Sequence, residues 1–196
     1  MSETNEERLE ELSWQAQDLP EGDAKIKLLE EALRYADLSQ DKDAMFDARM
    51  ELIQAATFGG RIELALNAFA WTLAQYESDN QRYEHYHHDL LWDFKWILGN
   101  VDQMPDISQE DTERLFERMR EHYAAAGYNM RPIENLRFTL ADAAGENDEA
   151  AKALKLARSI PRDDMADCEA CEADQVTDYY AGIDEYEKAV ESAGPN

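Results

Sequence analysis

The chain contains only two cysteines, and they stand three residues apart in the segment Cys168-Glu169-Ala170-Cys171. A Cys-x-x-Cys pair supplies half of a tetrahedral zinc site, or the two thiols of a redox disulfide. No second Cys or His pair follows at zinc-finger spacing, and the surrounding carboxylates disfavour the thiolate that redox chemistry needs. We therefore expect Cys168 and Cys171 to be reduced, metal-free thiols in an irregular acidic turn. Zinc binding and a disulfide are the alternatives.

Three of the four histidines lie in the segment 83–89. Glu84 and His87 form a Glu-x-x-His pair, which could offer two metal ligands on one face of a helix. A carboxylate-bridged di-iron site needs a second such pair, and the sequence does not contain one. His85 and His88 could hold a metal weakly at the surface with Asp89, but we expect ordinary surface and packing histidines.

The sequence contains no motif typical of an enzyme active site. The pair Gly59-Gly60 lacks the downstream glycine and Lys-Ser/Thr of a phosphate-binding loop, and no Gly-x-Ser-x-Gly elbow is present. With 44 acidic residues, some carboxylates will lie close together by chance. Such pairs are therefore weak evidence for an acid-base dyad. We predict a protein that is not an enzyme and that uses no cofactor.

The charge of the chain restricts the class of its partners. Nineteen Lys and Arg residues face 44 Asp and Glu residues, which gives a net charge of −25. A chain of this charge repels phosphate backbones and anionic lipid, so we expect neither a nucleic-acid nor a membrane partner. A protein or peptide with a basic face is the expected partner. The alternative is that the acidic residues serve only solubility.

No apolar run approaches the roughly 20 residues that a membrane helix needs. The first fifteen residues are acidic and polar, unlike a secretory signal peptide. Two cysteines do not indicate a disulfide framework. These features together predict a soluble cytoplasmic protein.

Apolar residues recur at helical spacing along nearly the whole chain, and no segment alternates as a strand does. Short connections predict that consecutive helices are antiparallel neighbours. The pattern predicts ten helices in five pairs, at 6–19 and 23–38, 43–58 and 61–76, 81–98 and 108–126, 133–144 and 148–160, and 175–181 and 184–193.

Two stretches share one spaced pattern, in which a turn glycine precedes a small, a bulky apolar and a second small residue. Its members are Gly60, Ala65, Phe69 and Thr72 in the first stretch, and Gly145, Ala150, Leu154 and Ala157 in the second. Small residues seven apart lie on one helix face, because seven residues make about two turns. A neighbouring helix can therefore approach closely there.

This pattern resembles the tetratricopeptide repeat (TPR), a helical hairpin with a period of about 34 residues. Pro161 stands where the family's repeat-ending proline is found, and the fifth pair matches only through Gly182 and Ala189. The resemblance implies an all-α fold, an α-solenoid or TPR-like superhelix of about five antiparallel helix pairs. Residues 1–161 would form four pairs, and residues 162–196 would add the acidic Cys-x-x-Cys turn and a short C-terminal pair to the same array.

The resemblance also implies that the first helix of each pair lines a concave groove. The groove candidates are Glu10, Trp14, Asp47, Met50, Gln54, Asn135 and Thr139. The aromatic segment adds a candidate pocket near Trp92 and Trp96. The family's clamp for terminal carboxylates uses Lys, Arg and Asn, and only Asn135 is a counterpart here, so that ligand class is not expected.

These features predict a protein- or peptide-binding adaptor or regulatory module, with a TPR-like groove and an acidic surface that selects a basic partner. One alternative is an acidic DNA mimic that inhibits a nucleic-acid-binding protein. A further alternative is a metal-binding protein that uses Cys168 and Cys171 or the segment from His85 to His88. A homo-oligomer is also compatible with this prediction.

Overall fold

A computed structural model of the chain describes residues 4–194, and these residues form ten α-helices and no β-strand. The helices are α1 (Asn5–Gln17), α2 (Asp23–Ser39), α3 (Lys42–Phe58), α4 (Ile62–Ser78), α5 (His87–Leu98), α6 (Gln109–Ala125), α7 (Arg131–Ala143), α8 (Asn147–Ser159), α9 (Glu169–Gly182) and α10 (Tyr186–Ala193). The all-α prediction is confirmed over this range. Among these helices, none has the length and apolar character that crossing a bilayer requires.

The chain folds as two compact units, of which the first extends to Ile107 and the second begins at Ser108. In the first unit, α1 packs on α2, α2 on α3 and α3 on α4, and α5 contacts both α3 and α4. In the second unit, α6 contacts α7, α7 packs on α8, and α9 packs on α10. The predicted division into 1–161 and 162–196 stays a prediction, and its first three and last two residues lie outside the described range.

The two pattern glycines end their helices in the same way. Gly60 and Gly145 both have a φ of 73°, a left-handed conformation that glycine adopts without steric cost. The next residue donates its N–H to a carbonyl five positions back, at 2.7 Å from Arg61 and 2.8 Å from Glu146. This arrangement satisfies carbonyl groups that a helix end would otherwise leave unpaired.

The turn of the last pair uses a different residue from the one that the sequence pattern suggested. Asp184, with a φ of 64°, holds the left-handed position, and Glu185 donates its N–H to the Tyr180 carbonyl at 2.8 Å. Gly182 is the last residue of α9 instead. Asp184 precedes Ala189 by five residues, the same offset as in the other two stretches, and Asp tolerates this conformation better than most residues.

The remaining members of the pattern are buried where helices meet. Ala65 and Ala150 are both fully inaccessible to solvent, and Thr72 is as well. Phe69 and Leu154 are almost completely buried beside them. The pattern residues therefore belong to the core of each unit, as the spacing predicted.

The prediction of one helix over 81–98 is wrong in its first third. The chain makes turns and a short 3-10 segment before α5 begins at His87. Arg82 donates two hydrogen bonds to the Asp43 carboxylate, at 2.6 and 2.9 Å, and the Tyr83 ring stacks on Phe46 with centroids 4.1 Å apart. These contacts with α3 hold the segment in a non-helical path.

The prediction of an irregular stretch from 162 to 174 is wrong in its second half. Helix α9 already begins at Glu169, with Cys168 as its N-cap. The sequence carries no Ser, Thr, Asn or Asp at this cap, which is why the start of the helix was missed.

Replacing Ala65 or Ala150 with Leu should lower the free energy of unfolding by about 1–3 kcal/mol, because extra methylene groups overpack a filled contact. Ala74 on α4 and Ala151 on α8 are exposed and supply matched controls for the same change. Urea unfolding of the four variants checks this. Equal stability of buried-site and control variants would contradict the packing role.

Candidate binding cleft

Helices α3 and α5 of the first unit enclose a cleft of about 320 Å³. Helix α3 contributes Met50, Glu51 and Gln54. Helix α5 and the residue before it contribute the remaining side chains, which are Tyr86, His88, Asp89, Trp92, Asp93 and Trp96. We call this site the α3–α5 cleft. It combines aromatic rings with three carboxylates.

Two indole rings form one wall of the cleft. The centroids of Trp92 and Trp96 are 5.7 Å apart, and Phe58 meets Trp96 edge to face at 5.0 Å. Trp92 donates its indole N–H to His88 Nε2 at 3.4 Å. The Lys95 ammonium lies 4.2 Å from the centroid of the Trp92 ring, so this ring already takes part in a cation–π contact.

Tyr86 closes one end of the cleft and is itself held by α3. Its hydroxyl donates a hydrogen bond to the Asp47 carboxylate, and its ring lies 4.9 Å from the Phe46 ring. Burial, together with this hydrogen bond, raises the pKa of Tyr86. Tyr86 therefore stays protonated at neutral pH and acts as a donor.

Asp93 is the least accessible carboxylate of the cleft, with only 4% of the residue exposed. Its Oδ2 atom is buried and has no hydrogen-bond partner among the described residues. Burial, with a smaller contribution from the charge of Asp89, raises the pKa of Asp93 to about 8. The carboxyl group is therefore mostly protonated at neutral pH while the cleft holds no ligand.

The other two carboxylates lie nearer to solvent. Glu51 is half-buried, and this burial raises the pKa of Glu51 above its ordinary value, although a hydrogen bond with Ser13 opposes the shift. Asp89 is exposed. The cleft thus offers acidic groups at increasing depth beside aromatic rings, a combination suited to a cationic group with an apolar stem.

The packing of α5 explains why Asp93 is buried. The adjacent Phe94 meets Phe69 of α4 edge to face, with centroids 4.7 Å apart. Leu90 and Ile97 are buried on the same helix. Because these apolar residues dock α5 against its neighbours, Asp93 is carried into the protein with them.

Four of the predicted binding residues meet in this cleft, namely Met50, Gln54, Trp92 and Trp96. Asp47 lies beside it and contacts the cleft through Tyr86. Glu10 and Trp14 are exposed on α1, where 69% of Trp14 is accessible, and they do not line the cleft.

The remaining two predicted groove residues belong to the second unit and are engaged in internal hydrogen bonds. The buried Asn135 donates its side-chain amide to Gln175 at 3.1 Å and to Asp167 at 3.4 Å. Thr139 donates its hydroxyl to the Leu136 carbonyl at 3.0 Å. Asn135 therefore joins α7 to α9 and to the segment that precedes α9.

The two histidines and the two cysteines that were considered as weak metal ligands each contact other groups. The His85 ring lies 4.2 Å from the Tyr86 ring, and His88 accepts the hydrogen bond from Trp92. Within residues 4–194, no group of three or more potential metal ligands is present. Cys168 and Cys171 form a disulfide, which corrects the expectation of two free thiols. The three-residue spacing at a helix start brings the two sulfur atoms together.

Sequence reasoning missed the charged half of the cleft. Glu51, Tyr86 and Asp93 were not identified as binding residues, and Asp89 was named only as a weak metal ligand beside His85 and His88. One signal was available for Asp93, because it stands within the apolar run Leu90-Leu91-Trp92-Asp93-Phe94. A carboxylate at such a position is either buried or exposed beside a large apolar surface, and both are unusual.

No protein-family model matches the chain, and neither a curated protein nor a solved structure matches it. The interpretation of the cleft therefore depends on its own geometry and charge.

Replacing Asp93 with Asn should stabilise the protein, because the amide removes a carboxylate that is costly to ionise where it lies. The folded-state pKa of about 8 lies above the ordinary value of 3.8, so the folded state binds the proton more tightly. The wild type therefore loses stability relative to the variant as pH rises from about 4 to 8. The rise in pKa from 3.8 to about 8 corresponds to a difference of about 5 kcal/mol at pH 8, at about 1.4 kcal/mol per pKa unit.

Urea unfolding of the wild type and the Asp93→Asn variant at pH 5 and pH 8 measures this difference. The exposed Glu63 of α4, which lies outside the cleft, gives the control, since Glu63→Gln should change stability little at either pH. A stability difference that does not grow with pH would contradict the burial of an ionisable Asp93.

Proposed function

We propose that this chain is a non-enzymatic protein- or peptide-binding module, built from TPR-like helical hairpins and working in the cytoplasm. Its α3–α5 cleft receives a Lys or Arg side chain from a basic segment of the partner protein. The repeated offsets from Gly60 to Ala65 and from Gly145 to Ala150, with matching turns, support the hairpin part of the proposal.

The observation that carries the proposal is the unpartnered Oδ2 atom of Asp93 at the α3–α5 cleft. A buried polar atom without a partner costs stability, so such atoms are uncommon in folded proteins. A cationic group that enters the cleft beside Asp93 would favour the ionised carboxylate, and a turn of the Asp93 side chain toward that group would supply the missing hydrogen bond. The same carboxylate that is unfavourable in the free protein would thus be favourable in the complex.

The size of the cleft suits one long side chain and not a folded domain. At about 320 Å³ it lies at the lower end of the range of ligand pockets, roughly 300–1,000 Å³. The methylene stem of Lys or Arg would lie along Met50 and the indole rings, and its charged head would reach the carboxylates. Arg and Lys also gain from cation–π contact with Trp96 or Tyr86.

The charge of the whole chain supports a basic partner. With a net charge of −25, the protein attracts a cationic segment over a longer range than the cleft alone. This attraction speeds association and is screened by salt, whereas contacts inside the cleft control dissociation.

A peptide with one central Lys should bind the wild-type protein more tightly than the same peptide with norleucine, which keeps the stem and lacks the charge. Binding should strengthen from pH 6 to pH 9, because Asp93 must lose its proton to pair with the ammonium, while Lys stays charged up to about pH 10. Anisotropy of a labelled peptide measures both effects.

Asp93→Asn should weaken binding of the Lys peptide by at least about tenfold, equivalent to about 1.4 kcal/mol, a small value for the loss of a charged hydrogen bond. The matched control is Glu63→Gln, which removes an exposed carboxylate of α4 outside the cleft. Equal losses in the two variants, or equal binding of the Lys and norleucine peptides, would overturn the proposal.

A further inference from the structure

The Cys168–Cys171 disulfide lies in the second unit, at the start of α9, and has no part in the proposed binding cleft. Both cysteines are exposed to solvent. Access from solvent is the first requirement for exchange with an external thiol or disulfide.

The sulfur of Cys168 occupies the N-cap position of α9. Its Sγ atom accepts the N–H of Cys171 at 3.0 Å. The first turn of a helix carries unpaired N–H groups and a partial positive charge. When the disulfide is reduced, the N–H groups of the helix start oppose the effect of the neighbouring carboxylates and favour a thiolate at Cys168 over one at Cys171.

Interactions other than the disulfide keep the two cysteines close together. Glu172 donates its N–H to the Cys168 carbonyl at 3.0 Å. The Glu172 carboxylate is buried and pairs with both Arg131 and Arg162, each at 2.6 Å. Because these bonds fix the first turn of α9, the sulfur atoms remain adjacent after the S–S bond is broken.

The disulfide closes a very short loop, so it contributes little to the stability of the fold. The entropy that a disulfide removes from the unfolded chain grows with the number of residues enclosed. Here only Glu169 and Ala170 lie between the two cysteines. Opening the bond therefore costs less stability than opening one that joins distant segments.

We propose that Cys168 and Cys171 form a reversible thiol–disulfide exchange site that accepts disulfides bearing cationic groups. Asp167 and Glu169 flank Cys168 directly in the sequence, so the approach of an anionic disulfide is disfavoured. In a reducing compartment, protein disulfides are usually transient and functional, which agrees with an exchange role.

The reaction starts from the reduced pair. The Cys168 thiolate attacks one sulfur of an external disulfide, a mixed disulfide forms on Cys168, and one external thiolate leaves and takes up a proton. Cys171 then loses its proton and attacks Cys168 Sγ, which releases the second external thiol. Overall, two protein thiols and one external disulfide give the protein disulfide and two external thiols, so two electrons pass to the external disulfide.

Single-cysteine variants of the full chain test the assignment of the nucleophile. Cystamine, a small disulfide with two ammonium groups, serves as the probe, and mass spectrometry follows the mixed disulfide. Cys168 in the Cys171→Ser variant should react at least about threefold faster than Cys171 in the Cys168→Ser variant, because the backbone N–H of residue 171 donates to Cys168 Sγ and stabilises its thiolate. Equal rates, or a faster Cys171, would overturn the assignment.

The reduced wild-type protein tests the exchange itself. With cystamine it should return to the internal disulfide and retain no adduct, since Cys171 displaces the probe from Cys168. The anionic glutathione disulfide should react more slowly than cystamine at low salt. The difference between the two reaction rates should become smaller at high salt, because salt screens the charges. Stable adducts on both cysteines, or a faster reaction with glutathione disulfide, would contradict the proposal.

Discussion

The first unit depends on the contact between Phe69 of α4 and Phe94 of α5. Phe69 is the bulky member of a spaced pattern whose small members, Ala65 and Thr72, are buried on the same helix. When Phe94 docks there, the residue before it is taken out of water, and that residue is Asp93. The packing of Phe94, together with that of Leu90 and Ile97, thus accounts for both the position of α5 and the buried carboxylate at the α3–α5 cleft.

The carboxylate gives the cleft its chemical character. An apolar residue of similar size at position 93 would suit the packing of α5 better, because a buried unpaired oxygen atom has no favourable interaction. The pKa of Asp93, about 8, reflects the same unfavourable burial, because the folded protein favours the neutral carboxyl group over the ionised one. A ligand that brings positive charge would reverse this balance, so the proposed binding site coincides with a costly feature of the helix packing.

Sequence patterns predicted those parts of the fold that depend on interactions between residues close together in the chain. Apolar periodicity located most helices, and the offsets from Gly60 and Gly145 identified buried alanines. The same reasoning placed the last turn at Gly182, because a glycine was the expected left-handed residue, whereas Asp184 takes that conformation. The expectation of a glycine was wrong, whereas the five-residue spacing before the small residue Ala189 does hold for Asp184.

Contacts between distant residues explain the parts that the sequence did not predict. Arg82 bonds to Asp43, 39 positions away, and this contact helps hold the segment before α5 out of the helix. Trp92 and Trp96 were recognised as pocket candidates from their aromatic spacing. The burial of Asp93 and Glu51 depends on how α3 and α5 meet, which no single helix reveals.

Proton release on binding tests the central claim most directly. Titration calorimetry of the Lys peptide at pH 7, in two buffers with different ionisation enthalpies, counts the protons that leave the protein. Since Asp93 is mostly protonated in the free cleft and must ionise to pair with the ammonium, release approaching about one proton per peptide is predicted. Binding heat that is the same in both buffers would show that no group loses a proton, and would contradict the account.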